Sequence, residues 1–224
     1  MTGPLRYLFL IAIICVAALS VTAQTTTVTD DDDLQAWNDI VTTVAVDKKV
    51  DLYFPVTFRF GKNISRLNEG RVGAGFVYKP AKAFSLTPFY TFIRYRDSAN
   101  KFRTENRFTM RFVYKFPVKH FGLSHRSQFE FRFRPTGYMW RYRTSITVEK
   151  ELPKKFVPGL KLFVTEEPFY ESVSGRFSKN RVSFGFNKTI NKKLSVDIFY
   201  LFQGDNFSHP GSINVIGTAW KIKL

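Results

Sequence analysis

Phe102-Arg103-Thr104-Glu105-Asn106-Arg107-Phe108-Thr109-Met110-Arg111-Phe112-Val113-Tyr114-Lys115-Phe116 decides how the chain folds. Taken at alternate positions, Phe102, Phe108, Met110, Phe112, Tyr114 and Phe116 share one face, while Arg103, Glu105, Arg107, Thr109, Arg111 and Lys115 share the other. A period of two belongs to a β-strand, whose successive side chains point to opposite sides. The design returns in residues 126–134, where Phe129, Phe131 and Phe133 oppose Arg126, Gln128, Glu130, Arg132 and Arg134. It returns again where Trp140, Tyr142, Thr144, Ile146 and Val148 oppose Arg141, Arg143, Ser145, Thr147 and Glu149. A half-buried soluble sheet rarely needs so many charges in register on one face, whereas a barrel with an apolar exterior and a charged lumen does.

Extending the pattern both ways, turn signals separate eleven candidate strands from Leu34 onward: about 34–46, 50–60, 69–79, 84–96, 102–116, 123–134, 138–151, 159–169, 176–188, 193–203 and 212–224. No apolar run after the first residues is long enough for a spanning helix, so a membrane could be crossed only by strands. The expected fold is all-β, a transmembrane antiparallel barrel of about 10–12 strands occupying residues 34–224. Single-chain bacterial barrels have even strand numbers, so one element near the N-terminus is expected to be miscounted, leaving ten or twelve, unless the leader threads the lumen.

The N-terminus reads as an export signal. Arg6 precedes the apolar run Leu8–Leu19, and Val21-Thr22-Ala23 supplies small residues for cleavage after Ala23. Lipidation of Cys15 is disfavoured by the bulky Ile14 before it. Residues 1–23 are thus a signal peptide, and 24–33, with four consecutive Asp, a flexible acidic leader. Cys15 is the sole cysteine, so the mature chain forms no internal disulfide.

Lys and Arg outnumber Asp and Glu by 34 to 18, a net charge of +16. Export argues against nucleic acid as the partner and turns that charge toward lipid phosphates, anionic solutes or internal ion pairs. The charges also sort along the expected barrel axis. Lysines such as Lys48, Lys49, Lys82, Lys119, Lys154 and Lys193 fall at one set of turns, and arginines fall toward the other end. Arginine makes forked contacts with carboxylates and keeps its charge when buried. The candidate lumen network is Arg94, Arg107, Glu130, Arg132, Arg141, Arg143, Glu167 and Arg181. Three roles stay open for it: a stiffening salt-bridge network, a narrow anion-selective channel, and rim arginines clamping lipopolysaccharide phosphates.

No catalytic, cofactor or metal site is expected. Ser124 and His125 are adjacent on a strand and point to opposite faces, and His209 beside Ser208 reads as a loop histidine. A lipid-modifying enzyme remains the competing class. Trp220, Ile222 and Leu224 alternate with Lys221 and Lys223 at the C-terminus, like the terminal strand signal read by barrel-assembly machinery. The expected partners are outer-membrane lipids and lipopolysaccharide, together with the secretion and assembly machinery.

Several short motifs run in order along the chain: Trp37, Arg94-Tyr95-Arg96, Trp140-Arg141-Tyr142-Arg143, Glu167-Pro168-Phe169-Tyr170, Asn180-Arg181 and Phe199-Tyr200-Leu201-Phe202-Gln203. With them the chain from Trp37 to Leu224 resembles a family of bacterial outer-membrane β-barrels classed as a domain of unknown function. The resemblance implies the barrel fold and an outer-membrane location, and carries no activity with it.

Overall fold

The computed structural model describes residues 32–153, 155 and 157–224. The expected signal peptide, most of the leader, Cys15 and Lys154 lie outside the described residues. Alternation sustained over ten or more residues gives long strands: β1 (Asp32–Ala45), β2 (Val50–Gly61), β3 (Arg66–Ala81), β4 (Phe84–Arg96), β5 (Phe102–Phe116), β6 (Gly122–Arg134), β7 (Gly137–Glu151), β8 (Leu160–Glu171), β9 (Arg176–Thr189), β10 (Leu194–Asp205) and β11 (Ser212–Lys223). Each pairs with its sequence neighbours, and β1 meets β11 to close the barrel. Residues 46–49, 82–83, 117–121 and 190–193 connect strands at a lysine-rich turn end, and residues 62–65, 97–101 and 206–211 do so at the opposite, loop end.

The strand number corrects the expectation of ten or twelve. Eleven alternating strands cannot close with antiparallel pairs alone, and the odd pair is β1–β11, which is parallel, in register from Asp32↔Ser212 to Thr43↔Lys223. Parallel pairing satisfies the backbone N–H and C=O groups as antiparallel pairing does, so closure does not require an even count. The pairing continues past the strand ends, where the Leu224 amide donates to Thr43 O at 2.9 Å and Ala45 donates to Leu224 O at 3.0 Å. Side chains reinforce this seam on both faces. Outside, Thr218 Oγ1 donates to Asn38 Oδ1 at 2.9 Å. Inside, Trp37, Leu201, Ile213 and Val215 form a buried apolar cluster, and Trp37 Nε1 donates to Gln35 Oε1 at 2.7 Å.

Large apolar side chains cover the exterior. Phe76, Phe92, Phe108, Phe129, Val164, Phe184 and Ile216 are all exposed there, between aromatic groups at the loop end (Phe133, Tyr138, Trp140) and at the turn end (Tyr78, Tyr114, Trp220). Glu105 and Glu130, by contrast, are 1% exposed. Apolar outside and charged inside inverts a soluble protein, and an aromatic-bordered apolar band is the surface of a barrel that spans a membrane.

Local irregularities shape the wall. Register shifts occur at Arg59/Phe60 between β2 and β3 and at Phe169/Tyr170 between β8 and β9. On the lumen side, a Cβ on Gly185 would lie 2.3 Å from Ile198 O and 2.7 Å from Phe199 Cα, so β9 and β10 can approach only because this residue is glycine. Gly70 is the opposite case, with nothing within 4 Å of the place a Cβ would take.

Gly185→Ala is therefore expected to destabilise the barrel by about 1–3 kcal/mol, and Gly70→Ala to leave it unchanged. Heat-modifiable migration on gels, followed against temperature, reads both. An unshifted transition for Gly185→Ala would contradict the close approach.

Candidate functional site: an arginine-lined lumen

Inward positions of β5 to β9 converge on a few buried carboxylates. Glu105 on β5 receives Arg107 Nη2 at 2.5 Å, Arg132 through Nε at 3.0 Å and Nη2 at 2.9 Å, and Arg134. Glu130 on β6 accepts from Arg143 Nη1 and from Gln128 Nε2, both at 2.8 Å, with Arg107 Nη1 at 3.4 Å and Arg141 Nη1 at 3.7 Å. Glu167 on β8 takes Arg143 through Nε at 3.1 Å and Nη2 at 2.8 Å, is bonded by Arg126, and has Arg181 Nη1 at 3.8 Å. Glu171 pairs with Arg141. Across the lumen, Glu69 is shared by Arg71 at 2.6 Å and Arg59 at 3.3 Å.

Aromatic rings hold the guanidiniums that carboxylates do not saturate. Phe169 is fully buried, and the guanidinium carbons of Arg143 and Arg181 each lie 4.6 Å from its centroid, that of Arg141 5.5 Å. Trp37 takes Arg59 at 3.8 Å and Arg181 at 4.8 Å. Cation–π contact of this kind is worth more where water is excluded. Gln203 Oε1 accepts from Arg181 Nε at 2.6 Å.

Seven of the eight expected network residues, Arg107, Glu130, Arg132, Arg141, Arg143, Glu167 and Arg181, are brought together in this way. Arg94 is not among them. Ile93 and Tyr95 take the inward positions of β4, so Arg94 stands exposed on the outer face with Tyr90 and Phe92. Glu105, Arg126, Arg59, Glu69, Arg71 and Lys179 also belong to the lumen, beyond the eight residues that the sequence suggests. Glu105 and Arg126 stand on charged faces already legible there. Glu69 and Arg71 sit on a glycine-rich strand whose alternation is weak, and Ser178 intrudes beside Lys179 at a register shift. Glu166 points outward, where Asn180 Nδ2 lies 3.3 Å from its Oε1. His209 borders the loop-end mouth of the lumen. His125, on the outer face, lies 2.8 Å through Nε2 from Thr144 Oγ1.

The network leaves space. A cavity of about 240 Å³ occupies the middle of the lumen, bounded by Tyr53, Phe89, Thr109, Arg111, Arg126 and Arg143 among others. A vestibule of about 290 Å³ lies toward the loop end, bounded by Trp37, Glu69, Arg132, Arg141, Lys179 and Arg181 among others. Arg59, Arg71 and Arg107 border both spaces. Together the two are lined by eleven arginines and lysines against three carboxylates, Asp39, Glu69 and Glu130. Counting Glu105, Glu167, Glu171 and Asp205, which these cations hold from behind, leaves eleven against seven. Among the charged groups that line the two spaces, guanidiniums therefore predominate.

Removing a carboxylate from such a cluster strands like charges together. Glu105→Gln is expected to cost about 3–5 kcal/mol, the range for breaking a buried ion pair. Glu149→Gln, which removes an open pair with Lys161, is expected to change stability by under about 1 kcal/mol. Denaturant unfolding in detergent, followed by tryptophan fluorescence, compares them; equal effects would mean that Glu105 does not organise the arginines.

Among curated proteins none matches the chain. Two solved structures are similar to it in shape. One is an anion-selective porin from Comamonas acidovorans, at 11% identity and a TM-score of 0.38, the match covering 75% of this chain and 55% of the porin, so that the chain spans about half of that protein's length. The other is a NanC porin, at 9% identity and a TM-score of 0.49, with 86% of this chain and 99% of that one covered. A family model described as "Protein of unknown function (DUF2490)" matches residues 34–214, nearly the whole barrel from β1 into β11, and the chain belongs to that family.

Proposed function

We propose that the protein is an outer-membrane barrel with its loop end outside, and that its lumen is a narrow anion-selective path whose arginines are held in place by the buried carboxylates. The observation that carries this reading is the junction of the two lumen spaces. Both are bordered by Arg59, Arg71 and Arg107, so a solute passing from vestibule to central cavity meets three guanidiniums at once. Arg59 and Arg71 share the carboxylate of Glu69, and the eleven cations lining the two spaces exceed the seven carboxylates around them, Asp39 included, which leaves surplus positive charge. Cationic rings of this kind admit anions and repel cations. The salt-bridge network and the channel are then one device, since forked pairing fixes where each guanidinium stands. Export by a cleaved signal peptide and assembly through the Trp220, Ile222 and Leu224 strand accompany this reading.

Purified protein in a planar bilayer under a potassium chloride gradient is expected to give small unitary currents, with a reversal potential of the sign set by chloride. Arg71→Gln leaves Arg59 and Glu69 matched one to one and is expected to move that potential toward zero. Absence of unitary currents at any voltage would leave the network with a purely structural role.

A further inference from the structure

The apolar exterior is interrupted near the loop end between β2 and β4. Phe58, Gly70 and Arg94 form one cross-strand row on the outer face. Because Gly70 has no side chain, an apolar groove of about 360 Å³ opens over it, bordered by Phe58, Val72, Phe92 and Phe102, with Arg94 at its edge. Arg94 lies just before the 97–101 loop, where the apolar surface gives way to the polar connections.

The charges at this edge are unbalanced. The guanidinium carbons of Arg94 and Arg96 stand 5.1 and 4.1 Å from the same Phe102 ring centroid. Arg96 donates to uncharged acceptors, Leu67 O at 3.1 Å and the Asn100 carbonyl at 3.1 Å. Among the described residues neither arginine has a carboxylate partner, unlike the guanidiniums of the lumen network. Two like charges on one ring, at the border of hydrocarbon, call for an anion that comes with the membrane.

The geometry points to a lipid A site, one acyl chain lying along the groove over Gly70 and a lipid A phosphate bridging Arg94 and Arg96. Lipid A fits because it joins acyl chains to a phosphate at the hydrocarbon boundary of the outer leaflet. The choice of this lipid rests on the outward placement of the loop end proposed above; the groove and its charges do not.

Native mass spectrometry of the full chain in detergent, titrated with bis-phosphorylated lipid A, tests the site. Retained adducts are expected for the wild type, and apparent affinity is expected to fall by about tenfold or more in Arg94→Gln/Arg96→Gln, on the scale of losing charge-assisted hydrogen bonds. A similar loss is expected in Gly70→Leu, which fills the groove, while Gly70→Ala keeps binding and serves as the folded control. Adducts of equal strength in all variants would overturn the site, and stronger, Arg94-dependent retention of phosphatidylglycerol would overturn the assignment to lipid A. Arg94 and Gly70 stand outside the lumen, whereas Arg96 also borders its vestibule, so bilayer currents of the Arg94→Gln and Gly70→Leu variants decide the channel separately. Surface labelling in intact cells of Ser174→Cys, in the 172–175 connection between β8 and β9 at the loop end, decides the orientation independently of lipid binding.

Discussion

Closure of the hydrogen-bond ladder is the constraint on which everything else in this barrel depends. A strand edge left open in hydrocarbon costs several kcal/mol for each unpaired backbone group, so the first and last strands have to meet whatever their number. With eleven strands they meet in parallel. A parallel pair is slightly weaker per residue, and the seam is where this chain places its buried apolar lumen cluster and an outward Thr218–Asn38 bond. The closed wall then fixes which positions face inward on every strand, and with them the contents of the lumen.

Those contents are balanced by geometry more than by number. A carboxylate with a single guanidinium partner leaves lone pairs unsatisfied, whereas Glu105 collects three arginines from β5 and β6, and Glu167 three from β6, β7 and β9. Cross-strand pairing of this kind ties β5 to β9 together through side chains as well as backbone. It also commits the carboxylates to the wall and leaves the guanidiniums at the surface of the open space. Stiffness and positive potential thus follow from the same contacts.

Much of this was legible because alternation is a local property. The β5 and β4 limits coincide with the alternating runs at 102–116 and 84–96, and the inward faces of β5, β6 and β7 are those that the charges mark. What the pattern did not carry is non-local or lies where alternation breaks. Strand parity depends on how the two ends of the chain meet, which no window of residues encodes. The β3 strand extends to 66–81 rather than 69–79, because a register shift near Phe60 absorbs an extra residue and its glycines blur the period. Arg94-Tyr95-Arg96 resembles the lumen motif Arg141-Tyr142-Arg143 in composition, yet on β4 the arginines take the outer phase and the tyrosine the inner one.

That inversion shows why residue type alone does not assign a face. Arginine serves the lumen because a planar fork can share carboxylates and lie flat on Phe169 and Trp37. Lysine, a strongly hydrated point charge, gathers at the turn end, where exposed pairs such as Lys79–Asp51 and Lys221–Asp197 keep it near water. Lys62 and Lys101 lie in loop-end connections, and Lys179 reaches Asp205 at 2.7 Å from the loop side of the lumen. The same flat guanidinium lets Arg94 and Arg96 lie against Phe102 on the outer surface, where an ammonium would have to stay in water. Lumen and exterior therefore draw on one property of arginine, the ability to hold charge against an aromatic face. The difference between them is the counter-ion: the chain supplies it inside, and among the described residues no carboxylate supplies it to Arg94 and Arg96.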